Sequence, residues 1–117
     1  MLTIYHNSRC RKSRAGLAYL REKGVEHEVR LYLNDSLTLE DMQRILMKMN
    51  VEAIELVRKQ EDQFKKELKG RNFTEDEWIR IILENPKLLQ RPIVEAKYKA
   101  VLGDPPENIE ALIQPNG

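Results

Sequence analysis

"LTIYHNSRCRKSR", residues 2 to 14, decides how the rest of the chain is read. Its first four residues are aliphatic, β-branched or aromatic and read as a short strand, and "HNS" reads as the turn that ends it. Downstream, Ala15, Leu17, Ala18 and Leu20 fall largely on one stripe and Gly24 stands where helices commonly stop, so the spacing predicts a helix over 11–23. "EHEVRLY", residues 26 to 32, alternates polar residues with Val29 and Leu31, which predicts a second strand parallel to the first after a helical crossover. The opening is a βαβ unit, and Cys10 falls at its strand-to-helix junction.

The centre has a different texture. Thr38 with Asp41 resembles a capping box, and Met42, Ile45, Leu46 and Met49 follow at helical spacing. Thr74 with Glu77 repeats the signal before Trp78, Ile81 and Ile82, and that helix should stop before Asn85 and Pro86. Residues 52–68 between them are predicted helical on a weak apolar stripe, ending at Gly70. Two short apolar runs, 93–94 and 100–102, then suit an antiparallel hairpin, 107–113 a short terminal helix, and 114–117 a frayed tail. The order is that of an α/β chain with a thioredoxin-like fold. A helical insertion of about residues 36–88 separates its βαβ and ββα halves within a single domain, 1–117.

Composition narrows the function classes. The chain has 117 residues, 41% apolar and 33% charged, the balance of one globular domain. No apolar run approaches the roughly 18 residues that a membrane span needs. The N-terminus shows no secretory pattern, so a cytoplasmic location is the default. A net charge of +1 supplies no field for nucleic acid. A single cysteine excludes an internal disulfide, and His6 and His27 are too far apart to suggest a metal site. No bound cofactor is expected, and a monomer is the working assumption.

Free cysteine is usually inert core. Here it sits in a polar turn, facing the unpaired N–H groups of a helix start and flanked by Arg9, Arg11, Lys12 and Arg14. Both features favour the thiolate and place its pKa below the ordinary thiol value. Ser13, in a C-x-x-S arrangement, offers its hydroxyl or N–H to the sulfur but no second thiol, so the resolving thiol comes from another molecule. A protonated His6 would stabilise the thiolate further. The same N–H groups and guanidinium forks suit a tetrahedral oxyanion, although Gly16 stands where a C-x5-R phosphatase loop needs arginine.

"IYHNSRCRKSR" (4–14), "LVRK" (56–59), "NPKLLQRPIV" (85–94) and "VLGDPPE" (101–107) together resemble the glutaredoxin-coupled arsenate reductases, over nearly the whole chain. The resemblance implies Cys10 as nucleophile toward arsenate, with His6, Arg11, Ser13 and Arg14 tuning it. It implies Arg58 and Arg91 as oxyanion ligands, Pro92 as a cis-proline beside the thiol, glutathione as co-substrate and glutaredoxin as partner. Family members usually carry a third arginine where this chain has Asp104, with Lys97 or Lys99 as alternative sources of charge. Two other readings stay open: a redox regulator attached to RNA polymerase, for which Ser13 removes the usual C-x-x-C switch, and a family member acting on a different oxyanion or disulfide.

Overall fold

The structure is a computed structural model, and residues 1–113 are described below. The expected tail at 114–117 lies outside them. Strand β1 is Leu2–Tyr5, helix α1 Arg11–Glu22 and strand β2 His27–Arg30. Helices α2 (Leu39–Met49) and α3 (Glu75–Glu84) follow, then strands β3 (Ile93–Glu95) and β4 (Ala100–Leu102), and helix α4 (Glu110–Ile113) after a 3-10 turn at Pro106–Ile109. The chain divides into two compact units: Met1–Asp35 together with the segment from Arg91 onward, and Ser36–Gln90.

The first unit is built on a four-stranded sheet in the order β2-β1-β3-β4. β1 and β2 are parallel, as a helical crossover requires, while β1–β3 and β3–β4 are antiparallel. Leu2, Ile4, Leu17, Leu20, Val94 and Ile109 form its core. The buried side of α1 differs from the expected stripe. Ala15 and Ala18 are exposed, whereas Ser13, Gly16, Leu17 and Leu20 are buried. Those positions are spaced i, i+3, i+4, i+7, the one continuous helical face, and its first half is small because other backbone approaches it closely.

β2 is shorter than expected and Val29 and Leu31 are each 42% exposed. It is an edge strand, and the chain leaves it at Arg30 because the N–H groups of Asn34 and Asp35 both donate to the Leu31 carbonyl, closing a turn. Arg30 pairs with Asp35 across that turn at 3.3 Å.

In the second unit both capping boxes form. The Asp41 N–H donates to Thr38 Oγ1 at 3.0 Å and the Thr38 N–H to Asp41 Oδ2 at 2.9 Å; Thr74 and Glu77 exchange the same pair at 3.2 and 2.8 Å. Trp78, Ile79 and Ile82 carry the buried face of α3, with Ile81 only partly covered, and Phe73 meets Trp78 edge-on at 4.9 Å between ring centroids.

The predicted helix over 52–68 is absent. Ala53–Leu56 is a 3-10 turn, Val57 forms an antiparallel bridge with Leu89, and only a single π-type turn, Phe64–Leu68, follows. The Arg58 N–H donates to the Leu88 carbonyl at 2.6 Å and the Gln90 N–H to the Leu56 carbonyl at 2.7 Å. Non-local pairing therefore takes the backbone groups that a helix would need.

Candidate functional site

The end of β1 and the start of β3 are paired neighbours, Tyr5 opposite Ile93. That register sets the loop after β1 beside the residues that precede β3, Arg91 and Pro92. Cys10 is the N-cap of α1 in an extended conformation (φ −97°, ψ 124°), with a partly exposed thiol that caps no backbone group.

The loop is internally bonded. The Cys10 N–H donates to the Asn7 carbonyl at 3.0 Å, the Arg9 N–H to Asn7 Oδ1 at 3.0 Å, and the Arg14 N–H to the Cys10 carbonyl at 2.9 Å. Ser13, fully buried, accepts the Asn7 N–H on Oγ at 2.9 Å and lies 2.6 Å from His6 Nδ1. The Ser13 hydroxyl is thus engaged by Asn7 and His6, and its backbone N–H is what addresses the sulfur.

Burial pushes the Cys10 thiol up, but the Ser13 N–H, the Arg91 guanidinium and the Lys12 N–H outweigh it, and the thiol lies below its ordinary value. Arg91 hydrogen-bonds the sulfur as well as adding its charge. Arg9, Arg11 and Arg14 are not among the groups that move the thiol; Arg11 is exposed, and Arg14 Nη1 donates to the Ser8 carbonyl at 3.0 Å. Arg14 thus braces the loop. His6 lies beside Ser13. Burial, then the charges of Arg21 and Arg14, hold its pKa below the ordinary value despite the Ser13 contact, so at neutral pH it is an uncharged partner of Ser13.

The Arg91–Pro92 peptide is cis, and so is Asp104–Pro105. Pro92 is wedged between two glycines: a Cβ on Gly16 would meet Pro92 Cγ at 2.7 Å and the Gly103 carbonyl at 3.4 Å, and one on Gly103 would meet Pro92 Cγ at 3.1 Å. Gly16→Ala is expected to displace the proline ring, with a loss of stability of about 1–3 kcal/mol. Thiol alkylation should slow along with a lower thermal midpoint; unchanged values for both would show that the ring yields freely.

Asp104 carries a neighbour that sequence reasoning missed: its Oδ2 lies 3.3 Å from Lys12 Nζ. Nothing in the spacing of residues 12 and 104 announces that pair. Asn7 was also missed, although an asparagine in a turn is a standard side-chain acceptor for nearby N–H groups. In the second unit Arg58 Nε donates to Glu61 Oε2 at 3.2 Å. Among the described residues no group of three or more His, Cys, Asp or Glu side chains is placed to hold a metal ion. No described helix is long and apolar enough to cross a membrane.

A βαβ-ββα sheet with a low-pKa thiol at the first helix start defines a thioredoxin-like thiol protein. The ArsC family model matches residues 5–112, and the chain belongs to the ArsC family. It is 46% identical over 114 residues to the uncharacterized protein YfgD of Escherichia coli K12, covering 94% of each chain. It is 40% identical over 114 residues to the arsenate reductase of Neisseria meningitidis serogroup A, covering 96% of this chain and 97% of the relative. The solved arsenate reductase of Vibrio cholerae superposes with a TM-score of 0.88 at 33% identity, covering 94% of this chain and 95% of that one.

Proposed function

We propose that this chain is an arsenate reductase in which Cys10 is the nucleophile and a small thiol is the electron source. The observation that carries the reading is the Cys10 thiol held below its ordinary pKa by helix N–H groups and by Arg91, in a chain whose relatives include arsenate reductases. The thiolate attacks arsenic, a protonated arsenate oxygen leaves as water, and a sulfur–arsenic(V) adduct forms. A glutathione thiolate then attacks the Cys10 sulfur. The new bond is a mixed disulfide, the sulfur–arsenic pair of electrons stays on arsenic, and arsenite departs reduced by two electrons. A second thiol, for which glutaredoxin is the natural agent, displaces Cys10 from the disulfide. The chain's only cysteine makes that external thiol obligatory.

Arg91, already on the sulfur, is placed by this reading to share the oxyanion charge as the adduct forms. The test is arsenite release by purified protein supplied with arsenate, glutathione and glutaredoxin. Release should require arsenate and glutathione, and should slow markedly when glutaredoxin is left out. Equal rates without glutaredoxin would remove that partner, and no release under any thiol donor would remove arsenate as substrate.

A further inference from the structure

We propose that the cavity beside the loop before Cys10 seats the thiol co-substrate, and that it takes a small carboxylate-bearing thiol through Arg9; this rests on the thiol-dependent reading above. The cavity measures about 300 Å³ and is lined from two segments, His6 to Arg9 on one and Leu31, Leu33 and Asn34 on the other. That volume is at the lower end of ligand-sized sites. Leu31 and Leu33, 42% and 38% exposed, supply apolar surface, and Asn34 an amide. None of the lining residues is acidic, His6 is neutral, and Arg9 is their one cation. Arg9 is exposed, and no carboxylate among the described residues pairs with its guanidinium. By contrast, Arg14 is held by the Ser8 carbonyl, Lys12 by Asp104 and Arg30 by Asp35.

The reaction needs a place for the thiol that arsenic does not occupy. A thiolate attacks the Cys10 sulfur in line with the sulfur–arsenic bond that breaks, so it arrives from the side away from the oxyanion. The groups already on the sulfur, which the oxyanion shares, are the N–H groups of Lys12 and Ser13 and the Arg91 guanidinium; none of these residues lines the cavity. Its walls are nonetheless immediate neighbours of Cys10. Arg9 is the preceding residue, with its Cα about 3.8 Å from that of Cys10, and the Asn7 carbonyl accepts the Cys10 N–H at 3.0 Å. In an extended tripeptide thiol such as glutathione the carboxylates stand within roughly 10 Å of the sulfur. A thiol of that size whose sulfur meets Cys10 can therefore set a carboxylate on the Arg9 guanidinium.

The test uses disulfide exchange, which needs no arsenate. The Cys10 thiolate attacks oxidised glutathione, a bond forms between Cys10 and one glutathione sulfur, the original sulfur–sulfur bond breaks, and the second glutathione leaves as a thiolate. Bis(2-hydroxyethyl) disulfide undergoes the same exchange but carries no carboxylate. Arg9→Gln should slow exchange with oxidised glutathione about tenfold, the scale of one unit charge at partly screened short range, and change exchange with the neutral disulfide less than about twofold. Leu33→Glu, which adds a carboxylate to the cavity lining, should give the same selective loss. Arg11→Gln controls for the general field of the loop, because Arg11 is also exposed but lines no part of the cavity. Its loss should slow exchange with oxidised glutathione less than about twofold. Equal effects of Arg9→Gln and Arg11→Gln, equal slowing of both disulfides, or no slowing by Arg9→Gln overturns the seat while leaving Cys10 as the nucleophile toward arsenate. If the wild-type protein exchanges with neither disulfide, the thiol-dependent reading fails and the seat with it.

Discussion

Cys10→Ser is expected to abolish thiol-dependent arsenate reduction, by on the order of a thousandfold or more, without weakening the fold. A serine hydroxyl carries almost no anion at neutral pH, and the N–H groups and guanidinium that lower a thiol do not bring an alcohol into range. The fold should hold because Cys10 is the N-cap of α1 and its thiol caps nothing. Serine is among the preferred N-cap residues, so its oxygen can accept from the first turn and leave the thermal midpoint unchanged or slightly raised. Near-normal arsenite release by a well-folded Cys10→Ser protein would remove the nucleophile from the mechanism.

Arg91→Ala is expected to lower kcat/KM by about a hundredfold, the usual scale for loss of a donor to a developing oxyanion. It also removes a hydrogen bond and a positive charge from the sulfur, so the Cys10 thiol rises toward its ordinary value. The midpoint of the pH–alkylation curve should therefore move to higher pH, and the acid limb of the activity profile should move with it. Arg91→Lys should fall between the two, since it keeps the charge and loses the planar fork.

Stability follows the same sign. A depressed thiol pKa in the folded state adds stability that is complete above the unfolded thiol value and is lost as pH falls through the folded one. Arg91→Ala should flatten that dependence in denaturant titrations across the window between the two values. An alkylation midpoint at the wild-type position would mean that the helix N–H groups alone set the thiol.

Local signals were readable wherever the chain satisfies itself. The capping boxes at Thr38 and Thr74 need only residues three apart, and both form. Cys10 at a helix start follows from the strand-turn-helix pattern of "LTIYHNSRCRKSR", and with it the direction of its pKa. Residues 52–68 failed as a helix for the converse reason. Their backbone partners, Leu88 and Gln90, lie some thirty residues away, and no local propensity registers them.

The amino-acid sequence by itself determined the order of elements, the lone thiol and its cationic surroundings. It could not say which cation matters. Four cations flank Cys10 in sequence, yet the side chain that reaches the sulfur is Arg91, brought there because β3 pairs with β1 in the register that sets Ile93 opposite Tyr5. The tertiary structure likewise turned His6 into a neutral partner of Ser13 by burying it, and joined Lys12 to Asp104 across the fold. The physical reason is common to all of these. Helix starts and caps depend on groups a few residues apart, whereas charge partners and desolvation depend on distances in space, and strand pairing sets those.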